Sequence, residues 1–136
     1  MKFRTMINRL CLAPAAGALA VVAGCAAPKG AATVHGATTM HGYVLDSACA
    51  FIKDLDKPIS KECAINCAQA GSPLVILADD GTIYWPISDA MPAVGLNARL
   101  LEFAGDRVIA TGTSYVKGGS CALVIDKIEH ESATMK

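Results

Sequence analysis

The feature that ties this chain most tightly to one class of fold is the run 74–85. Leu74-Val75-Ile76-Leu77-Ala78 and Thr82-Ile83-Tyr84-Trp85 are apolar, branched or aromatic, and Asp79-Asp80-Gly81 separates them. An Asp-Gly pair between two such runs is the strongest short-range hairpin signal. Pro86 cannot donate to a ladder and is expected to close the second strand. A second hairpin is expected at 107–115 and 121–128, turning at Lys117-Gly118-Gly119-Ser120. Gly112 inside a strand marks a bulge or sharp bend, which a small barrel needs at its corners.

An earlier strand is expected at 41–46, His41-Gly42-Tyr43-Val44-Leu45-Asp46, followed by a loop over 51–59 whose Pro58 disfavours helix before it. Ser60 is a good N-cap, Glu62 lies in the first turn, and Gly71 with Pro73 ends a helix of about ten residues. Asn97 is expected to cap a shorter helix stopped by Gly105. Strand, helix, hairpin, helix, hairpin is the order of a mainly β domain. It matches the five-stranded, Greek-key OB-like barrel, with one inserted helix and one short helix before the last hairpin.

Three stretches also resemble a group of small exported bacterial OB-like proteins. They are Asp46-Ser47-Ala48-Cys49, Cys63-x-x-x-Cys67, and the Phe-x-Gly-x-x-Val-x-x-Thr-Gly pattern from Phe103 to Gly112. The resemblance spans most of 41–129 and implies the fold; it implies no activity.

The N-terminus predicts export. Lys2, Arg4 and Arg9 precede an apolar stretch too short to span a membrane comfortably, and residues 1–24 have the order of a signal peptide. Val22-Ala23-Gly24-Cys25 resembles the lipobox of bacterial lipoproteins. The resemblance implies that Cys25 is diacylated and becomes the first mature residue, which gives a stable membrane anchor. Ala26 in place of Asp implies the outer membrane, facing the periplasm, in a Gram-negative cell. Residues 25–40 are small or polar and are expected to form a lipidated flexible tether, with the domain at 41–130 and a frayed tail at 131–136. Loss of three basic residues from 12, against 12 acidic, leaves the mature chain at about −3. With no Lys or Arg run, it offers no nucleic-acid surface.

Of six cysteines, Cys11 leaves with the leader and Cys25 takes lipid, so Cys49, Cys63, Cys67 and Cys121 remain. An even number in an oxidising compartment predicts disulfides. Cys63 and Cys67 lie one helical turn apart, with Cβ atoms about 5–6 Å from each other where a disulfide wants about 3.8 Å. Cys49 is therefore expected to pair with one of them and Cys121 with the other, bracing the inserted helix, a loop of about 15 residues closed in this way stabilising by roughly 3 kcal/mol. The same four sulfurs are alternatively a zinc or copper site. Thiol–disulfide exchange is the third possibility, without the Cys-x-x-Cys turn it usually employs.

Other candidates are weaker. His35, Met40 and His41 are copper-type ligands in or beside the tether. Tyr84, Trp85 and Tyr115 are candidates for the aromatic face on which OB barrels hold sugars or single strands. Asp79, Asp80 and Asp89 are turn residues, and His130 falls near the tail. These features together predict a lipid-anchored cell-envelope protein whose domain binds a partner protein or envelope component without catalysis. The alternatives are a copper- or zinc-binding protein and a thiol-active one.

Overall fold

The computed structural model describes residues 32–132; the expected leader, Cys25 and the residues just after it lie outside that span, as do residues 133–136. Five strands form a closed barrel: β1 (Thr33–Asp46), β2 (Leu74–Ala78), β3 (Ile83–Ile87), β4 (Arg107–Lys117) and β5 (Ser120–His130). They run around it in the order β1-β2-β3-β5-β4, antiparallel throughout except for the parallel pair β3–β5. Helices α1 (Ser47–Ile52) and α2 (Lys61–Gln69) fill the β1–β2 connection, and α3 (Asn97–Leu100) with a 3₁₀ turn (Leu101–Phe103) precedes β4. The mainly β, OB-like barrel expected from the sequence is the observed fold. Among the described residues no helix is long and apolar enough to cross a membrane.

Alternation sorts the side chains. Val44, Leu74, Ile76, Val108, Ala110, Leu123 and Ile125 fill the barrel, and Leu100 and Phe103 join them with Ala64 and Ala68 of α2. On the outer side, Leu45, Val75 and Leu77 pack beneath Ala50 of α1, flanked by Leu55 and Trp85. Burying each such leucine or valine stabilises the fold by roughly 1.5–3 kcal/mol. The outer faces of β1 and β2 thus require a cover, and α1 supplies it. The β4–β5 ladder slips between Thr111 and Gly112, where the bulge was expected. A Cβ on Gly112 would lie 2.0 Å from the carbonyl oxygen of Val124, so no larger residue fits there without movement.

Three expectations are corrected. Strand β1 starts at Thr33, so residues 33–40 are not tether; they pair with β4 from Thr33↔Val116 onward and close the barrel. A bulge between Val34 and Gly36 interrupts the alternation there, which is why the stretch lacks a visible period. Met40 is accordingly a buried core residue and not a ligand in solvent. Strand β3 continues through Pro86 to Ile87, because by then its neighbour is β5 and no β2 residue lies opposite. At the far end Glu131 is not frayed: its N–H donates to the Arg107 carbonyl at 2.9 Å.

Candidate metal centre

Asp46, the last residue of β1, is 1% exposed and is the N-cap of α1. Its Oδ1 accepts from the Cys49 N–H at 3.1 Å and from the Ser72 hydroxyl at 3.3 Å. An Asp at this position satisfies one of the orphan donors of the first turn and fixes where Cys49 stands. No helix is expected between the first strand and the loop at 51–59, yet Asp46-Ser47-Ala48-Cys49-Ala50, free of Gly and Pro, carries an N-cap signature, and α1 forms there.

Helix α2 delivers the next two sulfurs. Ser60 caps it by accepting from the Cys63 N–H at 3.1 Å, as its sequence predicts. Ala64 and Ala68 turn into the barrel, which leaves Cys63 and Cys67, four apart, half-buried on the adjoining face. The helix ends in a Schellman motif. Gly71, at φ +99°, donates to Ala68, and Ser72 donates to the Cys67 carbonyl at 3.0 Å. That turn carries the Ser72 hydroxyl back to Asp46. Asn97, expected as a helix cap, instead donates to the carbonyls of Ala68 and Ser72 and accepts from the Leu74 N–H. It ties the end of α2 to the start of β2.

The outcome is a group of three sulfurs. The Sγ atoms of Cys49, Cys63 and Cys67 all lie within 4.8 Å of one another. A metal equidistant from sulfurs at that outer limit would sit about 2.8 Å from each, so a contraction of about 0.5 Å reaches the ordinary zinc–sulfur distance of ~2.3 Å. Rotamer adjustment of the half-buried Cys63 and Cys67 covers such a change.

The electrostatics follow from Asp46. Burial pushes its carboxyl up, but bonds from the Cys49 thiol and N–H, from Ser72 and from the Cys67 thiol outweigh it and hold it below the usual value. The Cys49 thiol is pushed up to about 12, first by its bond to Asp46, then by burial and by the charge of Asp46. Burial, followed by the Asp46 charge and the neighbouring Cys63, raises the Cys67 thiol. Thiols held protonated in this way are poor nucleophiles, unlike the lowered thiols of disulfide oxidoreductases. A cation can displace those protons and replace them as the positive partner.

Cys121 is not a member of the group. It lies on β5 in register with Val116 of β4 and Tyr84 of β3, near the β4–β5 turn. All four cysteines are thiols in this structure, and the two expected disulfides are absent. The expectation placed Cys121 beside α2, whereas the barrel register puts it next to Tyr84.

Of the aromatic candidates, Trp85 and Tyr115 share the outer face, both in register with Ala122 of β5, and Tyr84 does not. Tyr84 packs with the inner core, while its neighbour Trp85 points outward and stacks on Phe51 with ring centroids 6.1 Å apart. Tyr115 is half-buried on β4 opposite Val34 and Ala122. His35 is exposed on β1. His41 Nδ1 meets Glu131 at 2.8 Å, and Glu131 in turn meets Arg107, which also holds Asp79 by two bonds. That chain of charges clips the start of β4 to β1 and β2. Its His41 is turned to Glu131, not to a sulfur. His130 packs on Phe103 at 4.8 Å.

No family model, no curated protein and no solved structure matches this chain.

Proposed function

We propose that this is an exported, lipid-anchored metal-binding protein whose OB-like barrel presents a soft thiolate site built from Cys49, Cys63 and Cys67. The observation that carries this is the meeting of three sulfurs from two separate helices within 4.8 Å. Covering the outer face of the barrel needs α1, but it does not need cysteine at Cys49, Cys63 and Cys67 together. Thiolate sets select zinc or monovalent copper over hard cations. The motifs by which the chain resembles small exported OB-like proteins contain these three cysteines and Asp46. The lipobox-like Val22-Ala23-Gly24-Cys25 supports anchoring at Cys25, which would hold the site at a membrane surface.

The test is the metal content of the protein isolated, under reducing conditions, from its own membranes. One zinc or copper per chain is expected, lost when Cys49, Cys63 and Cys67 are each replaced by serine and kept in Cys121→Ser. Sub-stoichiometric metal in wild type, or equal metal in all variants, would remove this function. A non-catalytic docking role without metal would then be the better account.

A further inference from the structure

Three sulfurs would supply three of the four ligands of a tetrahedral ion, and the surroundings decide what could supply the fourth. Asp46 is the nearest other donor, but it is not part of the group of mutually close ligand atoms. Its side-chain bonds are to Cys49, Cys67 and Ser72. The carboxylate therefore stands behind the Cys49–Cys67 edge, with Oδ1 already accepting from Cys49 N–H and Ser72. Cys121 sits beside Tyr84, and His41 is directed at Glu131. Among the described residues no fourth ligand joins the three.

The site also reaches the surface. Cys49 is buried, whereas Cys63 and Cys67 are half-buried on α2, next to exposed Glu62 and Asn66. Structural zinc sites are closed by four protein ligands, and sites with three keep an exchangeable position. A divalent ion with three thiolates carries one net negative charge, and Asp46 adds another behind it. An ion already held by three soft sulfurs gains little from the hard oxygens of carboxylates and phosphates. A soft sulfur donor suits it better.

We propose that a divalent metal held by Cys49, Cys63 and Cys67 keeps a fourth position on the side away from Asp46, and that this position takes a small thiol. This rests on the metal-binding function proposed above. In the exchange a metal–water bond breaks, a metal–sulfur bond forms, and the thiol proton passes to buffer; no electron is transferred.

The experiment uses the full chain reduced with a phosphine and loaded with cobalt(II). Sulfur-to-cobalt charge-transfer bands of a three-thiolate site are expected, and 2-mercaptoethanol should raise them by about one third as a fourth sulfur binds. Acetate or phosphate at the same concentration should leave them unchanged. X-ray absorption of the zinc-loaded protein provides the second readout: three sulfurs and one light atom before thiol, four sulfurs after. Bands that ignore the thiol, or a light atom that persists, would show the position closed to thiols and overturn the inference while leaving the metal site standing. Absence of any sulfur-to-cobalt band in reduced protein would overturn the metal site itself, and this inference with it.

Discussion

Removing the Asp46 carboxylate should loosen both helices that carry the sulfurs. In Asp46→Ala the first turn of α1 loses its cap, which typically costs about 1 kcal/mol. The Ser72 hydroxyl and the Cys49 and Cys67 thiols lose a charged acceptor, and such bonds contribute roughly 1.5–3 kcal/mol each. These terms overlap, and relief from burying a charge offsets part of them. The expected net loss is about 2–4 kcal/mol, against a total stability of roughly 5–15 kcal/mol for a domain of this size. At ~4–8 °C per kcal/mol, melting should fall by about 8–32 °C. Asp46→Asn retains a capping oxygen and should lose about half as much. Urea unfolding in phosphine and a chelator isolates this effect from metal binding, and the slope with urea should stay constant. An Asp46→Ala protein within about 0.5 kcal/mol of wild type would refute the keystone role given to this residue.

Gly112→Ala should destabilise by about 1–3 kcal/mol, since its Cβ meets the Val124 carbonyl at 2.0 Å; a neutral result in urea unfolding would mean the bulge is looser than the register indicates. Mild oxidation of metal-free protein should yield a disulfide joining Cys49 to Cys63 or Cys67, and peptide mapping should find neither a Cys63–Cys67 bond nor Cys121 in a bond within one chain. Arg107 should govern the acid limb of stability. Its bonds lower the Asp79 carboxyl, and Glu131 is lowered first by His41 and then by Arg107. Stability from these groups is complete above their unfolded-state values near 3.8 and 4.5 and is lost as pH falls through the lowered folded ones. Arg107→Gln should therefore flatten stability measured by urea between about pH 5 and 2. An unchanged acid limb would mean that solvent screens this network fully.

Much of the barrel is legible because its signals are local. Asp79-Asp80-Gly81 turns where the apolar runs demand, Ser60 and Gly71 bound α2, and Gly112 marks the bulge. The misreadings arise where a residue's role is set by distant partners. Thr33–Met40 looks like tether until β4 is seen to need a neighbour, and the β-bulge at Gly36 hides the alternation. Asn97 sits where a cap is plausible but finds three backbone partners across the fold. Spacing alone puts Cys63 and Cys67 on one helical face, and the local cap at Asp46 brings in Cys49. Nothing local says that Cys121 stays with Tyr84, because that depends on the β3–β5 register.

The most direct test is a zinc titration of the reduced full chain against a competing chromophoric chelator, with proton release followed in parallel. One zinc per chain should bind, with close to three protons released at neutral pH. Cys49→Ser, Cys63→Ser and Cys67→Ser should each weaken binding by about 100-fold or more, and Cys121→Ser by less than about twofold. Equal affinities across all four variants, or a requirement for Cys121, would contradict a metal centre built where α1 meets α2.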